Sequence, residues 1–262
     1  MRPDILDLIG PEYDRPSGLQ AGTKTLVICA APRTGSYELC RLLLAGGIGV
    51  PHEYFHPLYA EQIASRFDFQ GNPLAPDRIG AYVDLLRARR SANNVFAAKL
   101  QYWQFKRFLR NRHGEALFNE AHIVHLFRPD VATQFRSWQV ARLTSRWDFS
   151  ARKTPKEVES PPADRGIAQT LSDIEFLLAE DSGFRRLFVF LGITPQFFTL
   201  DDIFKCPEAV AQRIAGALRV PVDGKRLAAA IAASAPYIRE SEDWEKVSNG
   251  QTDALRQRAF RS

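Results

Sequence analysis

The chain has 262 residues, 45% hydrophobic and 25% charged, which is the make-up of a globular protein long enough to bury one full core, not of a disordered or fibrous one. No apolar run approaches the roughly 20 residues of a membrane span, and the mixed-charge start at 1–23, broken by Pro3, Pro11 and Pro16, is unlike a secretory signal, so a cytoplasmic protein is expected. The net charge of +5 points to an anionic partner without choosing among nucleic acid, a nucleotide and an acidic substrate, while Cys29, Cys40 and Cys206 are too widely spaced for a disulfide framework or a metal knuckle.

Residues 1–23 read as an N-terminal extension, 24–250 as a single domain and 251–262 as a tail. The β-prone run at 25–30 predicts a strand buried on both faces. It stops at the turn 31–36, and a helix follows through Leu39, Leu42, Leu43 and Leu44 to the C-cap pair Gly46 and Gly47. Residues 48–50 predict a short strand or extended link, and 60–67 a helix. After the Gly- and Pro-containing loop at 70–77, Tyr82, Leu85 and Leu86 mark another helix. Strands are predicted at 95–100 and 121–127. The second runs into Arg128, Pro129 and Asp130, where Pro129 suits a first helical position and Asp130 the positive end of a helix dipole.

The helix after Asp130 extends to about Trp147. The polar segment 149–166, with Pro155, Pro161 and Pro162, is a long loop of the kind used as a lid or binding loop. A helix at 170–191, a strand at 197–200 and two or three closing helices complete the chain. Strands alternating with helices predict an α/β fold, a central parallel sheet flanked by helices on both faces.

The turn carries the first chemistry. A helix N-terminus presents unpaired backbone N–H groups to an anion; Gly35 allows close approach, Thr34 and Ser36 bring hydroxyls, and Arg33 a fixed cation. The Walker A spacing is absent, which leaves ATP or GTP hydrolysis without support. The competing reading is a plain β–α turn with a surface arginine. Arg128 marks a second site, at a strand end on the edge where open α/β sheets bind ligands. Ser137, two helical turns past Asp130, faces the same way as the helix start. Arg128 pairing with Asp130 is the simpler alternative there. Together the two basic sites suggest a ligand with two phosphates.

In that order the motifs resemble the sulfotransferases that use 3′-phosphoadenosine-5′-phosphosulfate (PAPS), specifically the bacterial carbohydrate group typified by trehalose 2-sulfotransferase. The turn from Arg33 to Tyr37 looks like that family's 5′-phosphosulfate loop, and Glu53, within Gly49-Val50-Pro51-His52-Glu53-Tyr54-Phe55, matches its catalytic glutamate. Lys99 and Trp103 resemble its Gly-Lys-Leu strand and following aromatic; Arg128 and Ser137 match its 3′-phosphate pair. A closing segment at 239–244 is similar too.

The resemblance implies a P-loop-like sulfotransferase fold, PAPS as donor, no metal, and a sugar or glycolipid acceptor. It implies Glu53 as general base, with Arg33, Thr34, Gly35, Ser36, Tyr37, Arg128 and Ser137 on the donor, and His52, Lys99 and Trp103 toward the acceptor. A homodimer is a further implication; nucleic acid is not an implied partner. Tyr37 departs from the pattern by standing where relatives carry Ser or Thr, and Glu53 is expected to need a raised pKa from burial beside Tyr54 and Phe55.

Two rivals remain at this level. A nucleotide- or RNA-binding protein without catalysis would account for the charge. His52-Glu53-Tyr54-Phe55-His56 also fits the H-E-x-x-H zinc signature, but that chemistry needs both histidines on one helix face, and Pro57 disfavours helix at His56.

Overall fold

A computed structural model describes residues 6–15, 23–108, 117–118, 121–144, 147 and 167–234. Its core is a parallel sheet of four strands: β1 (Lys24–Ala30), β2 (Val95–Leu100), β3 (His122–Phe127) and β4 (Gln196–Thr199). The strand order is β2-β1-β3-β4. All three ladders are parallel. The strands fall where continuous apolar runs predict them, because a strand covered on both faces tolerates few polar positions.

The alternation along β1 shows how both faces are covered. Leu26, Ile28 and Ala30 point into one core cluster, and Val27 and Cys29 into the other. The first cluster is closed by α1 (Ser36–Ala45) and α8 (Pro207–Leu218). The second is closed by α2 (Pro57–Arg66), α3 (Ile79–Arg89), α4 (Tyr102–Phe108) and the long α6 (Ile167–Leu191). Helix α5 (Val131–Thr144) follows β3, α7 (Leu200–Lys205) follows β4, and a last helical run covers 224–234. A side chain such as Phe184 of α6, fully buried here, contributes about 1.5–3 kcal/mol through its removal from water.

Of the two alternatives for residues 48–50 the structure has the link: they form no strand, and the chain then makes one parallel bridge to β2, His52 to Ala98, with Lys99 N–H donating to the His52 carbonyl at 2.9 Å. Gly49 makes this approach possible: its φ is +74°, and a Cβ there would sit 2.8 Å from that of Ala97. Helix α4, directly after β2, was not anticipated.

The N-terminal residues 6–15 are also packed into the body. Fully buried Arg90 donates to Asp14 Oδ1 at 2.7 Å and to the Gly10 and Leu8 carbonyls, and it reaches the Tyr54 hydroxyl at 3.2 Å. The segment 149–166 and the closing motif at 239–244 lie outside the described residues. No helix among the described residues is long and apolar enough to cross a membrane.

Strand β1 is flanked by β2 on one side and β3 on the other, so the chain changes direction across it. In such sheets a crevice opens beyond the carboxyl ends of the strands at that point. The ends of β1, β2 and β3 are level, with Cys29 opposite Leu100 and Ala30 opposite Leu126. Whatever follows each strand is therefore delivered to one edge.

Candidate active site

That edge holds a cavity of about 400 Å³, lined among others by Arg33, Gly35, Ser36, Tyr37, Glu53, Lys99, Trp103, Arg128 and Ser137. Residues from the ends of all three strands thus meet in one space.

The turn after β1 is built around a backbone only glycine adopts freely. Gly35 caps α1 in the left-handed region at φ +82°, and a Cβ would meet Leu200 Cδ1 at 2.4 Å. Arg33 also has positive φ, +66°. Its side chain leaves the turn and donates from Nε to Ser137 Oγ at 2.9 Å and from Nη1 to the Trp147 carbonyl at 2.5 Å. Arg128 Nη1 in turn reaches the Arg33 carbonyl at 3.5 Å, and Gln134 Nε2 donates to the Pro32 carbonyl at 2.7 Å. The two basic sites inferred separately from sequence are therefore contiguous. Asp130 caps α5 by accepting from the Thr133 hydroxyl and from the Thr133 N–H at 3.1 Å, and these hydrogen bonds, the hydroxyl's above all, hold its pKa below the usual range.

Two predicted residues stand behind the wall of the cavity. Thr34 is fully buried and spends its hydroxyl on the Ala31 carbonyl at 2.9 Å, closing the turn. His52 is fully buried against Tyr59, ring centroids 4.8 Å apart, and lines no part of the cavity. The imidazole that does is His56, edge-on to Trp103 at 5.8 Å. His56 has extended backbone, φ −76° and ψ 129°, and caps α2, with Pro57 as its first residue. The two histidines do not share a helix, which removes the geometry that the zinc signature requires.

Glu53 is the centre of a hydrogen-bond network. Its carboxylate is 2% exposed on a residue basis. Oε2 accepts from the Tyr37 hydroxyl at 2.5 Å and from Lys99 Nζ at 2.7 Å, while Oε1 accepts from Gln101 Nε2 at 2.7 Å and Gln104 Nε2 at 2.6 Å. The local fold explains the pairing with Lys99. The bridge between His52 and Ala98 aligns the two chains, and the next residues, Glu53 and Lys99, turn toward each other.

Burial pushes the Glu53 pKa up, but the Lys99 charge and the hydrogen bonds from Lys99 and Tyr37 outweigh it and hold the carboxyl below its ordinary value. This corrects the expectation of a raised pKa, which considered the apolar neighbours and not the cation. Burial drives the Tyr37 phenol well upward, aided by the Glu53 charge, so it stays protonated and acts as a donor. Lys99 Nζ also lies 4.6 Å from the centroid of the Tyr37 ring, a cation–π contact.

Several participants escaped the sequence. Gln101 and Gln104 flank the start of α4, and Trp103 Nε1 donates to Gln101 Oε1 at 2.8 Å, fixing both indole and amide. Glu180 of α6 caps that helix, accepting from the Tyr102 N–H at 2.7 Å and the Trp103 N–H at 3.0 Å. Arg41 and Glu38, a buried pair 3.3 Å apart on α1, also line the cavity. Arg41 stands one helical turn beyond Tyr37, on the same face.

The site suits an anionic ligand. A helix N-terminus, Arg33, Arg128 and Lys99 converge on it beside the Arg41–Glu38 pair, with the Glu53 carboxylate at its floor and the Trp103 indole on its wall. No group of three or more His, Cys, Asp or Glu side chains among the described residues could hold a metal ion. In comparison with known proteins, no curated protein matches the chain. A family model for the Stf0 sulphotransferases matches residues 25–246, a span that includes all of the sheet but Lys24, the turn after β1, Glu53, Lys99, Arg128 and Ser137. The chain belongs to the Stf0 sulphotransferase family, and is a sulfotransferase.

Proposed function

We propose that this sulfotransferase takes its sulfuryl group from PAPS and delivers it to a hydroxyl of a carbohydrate or glycolipid, with Glu53 as general base. The observation that carries the reading is the buried Glu53 carboxylate opening onto the same cavity as Arg33, Arg128 and Ser137.

The residues present fit such a donor. Ser36, the first N–H groups of α1 and Arg33 are the groups for a 5′ phosphosulfate; Arg128 and Ser137, in contact with Arg33, are those for a 3′ phosphate. When bound, PAPS supplies an activated sulfuryl group on a phosphate leaving group.

Glu53, ionised at neutral pH because its pKa lies low, receives the acceptor hydroxyl's proton. Lys99, Arg33 and the backbone N–H groups of the turn face the region where negative charge gathers as the leaving oxygen departs. Gln101 and Gln104 orient the carboxylate, and their fixed amides avoid the reorganisation that water would need. Trp103, with its indole held by Gln101, offers a flat apolar face to a sugar ring, with His56 and Tyr59 beside it.

The test is ligand-dependent thermal stability. 3′-Phosphoadenosine-5′-phosphate (PAP) should raise the melting temperature at moderate salt, and ATP should do little, because stabilisation follows binding to the folded state. Equal shifts with both nucleotides, or a shift abolished by modest salt, would favour a nonspecific polyanion binder instead.

A further inference from the structure

A carboxylate offers about four lone-pair positions. In Glu53 four donors occupy them: Tyr37 and Lys99 on Oε2, Gln101 and Gln104 on Oε1. A general base must hydrogen-bond the proton it removes. Resting on the assignment of Glu53 as that base, one donor has to withdraw before an acceptor hydroxyl can bind.

The four are not equally held. Gln104 is fully buried and fixed at its other end, its Oε1 accepting from the Gln101 N–H at 2.9 Å. Gln101 is fixed likewise, its Oε1 accepting from Trp103 Nε1 at 2.8 Å. Tyr37 is neutral, so an arriving anion exerts little pull on it. Lys99 is the one of the four that carries charge. Its ammonium contacts Glu53 and the Tyr37 ring, and it lines the cavity shared with Arg33, Ser36 and Arg128. Its four-carbon stem and rotatable donors let it change partners at small conformational cost.

We propose that Lys99 is a donor-responsive latch on Glu53. Before the donor binds, it fills an acceptor position on Oε2 and suppresses the basicity of the carboxylate. When an anionic 5′ group enters the cavity, Lys99 moves to it. That exchange frees an Oε2 lone pair for the acceptor hydroxyl and strengthens Glu53 as a base at the same moment. Donor affinity is reduced by the cost of parting a buried ion pair.

The experiment is isothermal titration of PAP into wild type, Glu53→Gln, Lys99→Met and the double variant, with no acceptor and no turnover involved. Glu53→Gln should bind PAP about tenfold more tightly than wild type, since Lys99 is no longer engaged; tenfold is the effect of about 1.4 kcal/mol. In the Lys99→Met background the same substitution should change the affinity by less than about twofold. Unchanged or weaker binding by Glu53→Gln overturns the latch, and so does equal tightening in both backgrounds, which is the mark of simple removal of a negative charge.

If Lys99→Met does not fold, Lys99→Gln, which keeps a neutral hydrogen-bond donor beside Glu53, takes its place in the same four-variant cycle, and the same outcomes support or overturn the latch. Absence of PAP binding in wild type overturns the donor assignment and the latch with it. Turnover in Glu53→Gln reports separately on the base.

Discussion

Arg33 and Ser137 are 104 positions apart in sequence and 2.9 Å apart in the folded chain, Nε to Oγ. The hydrogen bond joins the turn after β1 to the helix after β3, across the place where the sheet changes direction. It makes one basic wall from two segments that each read as ordinary in isolation. It also means that Arg33, at the phosphate turn by sequence, is shared between the two ends of the proposed donor site.

Removal of a cation from that wall should register in donor binding first. Arg128→Ala is expected to weaken PAP by roughly 10–100-fold, the effect of losing a charged hydrogen bond of about 1.5–3 kcal/mol, while the melting temperature of the unliganded protein changes little. Titration of PAP with parallel calorimetric melts checks both halves. A large fall in intrinsic stability with unchanged PAP affinity would assign Arg128 a structural role.

Gly35 combines two demands, a φ of +82° and a side-chain-free approach to Leu200. Gly35→Ala should cost about 1–3 kcal/mol in stability from backbone strain alone, with more from the contact. Gly35→Ala/Leu200→Ala should recover the contact contribution and not the strain. Denaturant unfolding of both variants separates the two.

Arg90 ties residues 6–15 to the segment that carries Glu53, through Asp14 on one side and the Tyr54 hydroxyl on the other. Arg90→Ala takes a donor from the Leu8 carbonyl, from the Gly10 carbonyl, which keeps the Tyr13 N–H, and from Asp14, which keeps its pair with Arg66. A loss of about 1–3 kcal/mol is expected, the scale for a buried polar group deprived of its partner. Limited proteolysis should then cut within 6–15 at concentrations that leave the wild type intact.

Glu180 gives a pH dependence of definite sign. Burial pushes its pKa from 4.5 up to about 7, against the lowering effect of the Tyr102 and Trp103 N–H groups. The folded state therefore binds the proton more tightly than the unfolded state. The stabilisation is fully present below about pH 4.5 and is lost as pH rises through about 7, up to about 3 kcal/mol in all. Glu180→Gln should flatten this part of the profile while keeping one capping acceptor. Urea unfolding at several pH values between these limits checks it, and parallel wild-type and variant profiles would contradict it.

What could be read from the residues depended on how local the cause was. Strands β1 and β2 were legible because a doubly covered strand must be apolar throughout, and the Gly46–Gly47 stop of α1 because helix ends have their own chemistry. Helix α4 was missed: its seven residues follow β2 with almost no linker, and its start is secured by Glu180 from 78 positions away. The same reason hid Gln101 and Gln104, whose role exists only once the fold brings Glu53 to them. Which of His52 and His56 lines the cavity was not legible either: His52 is fully buried beside its bridge to Ala98, and His56 lines the cavity. The low pKa of Glu53 depends on Lys99, a partner that no local pattern announces.

The central claim is that Glu53 takes a proton from a sugar hydroxyl during transfer from PAPS. Its most direct measurement is mass spectrometry of sugars and glycolipid extracts incubated with PAPS and either wild type or Glu53→Gln. Wild type should add the mass of one sulfuryl group to an acceptor, and Glu53→Gln should do so at least about 100-fold more slowly while still binding PAP. Sulfation of the same acceptor at an undiminished rate by Glu53→Gln would contradict the account.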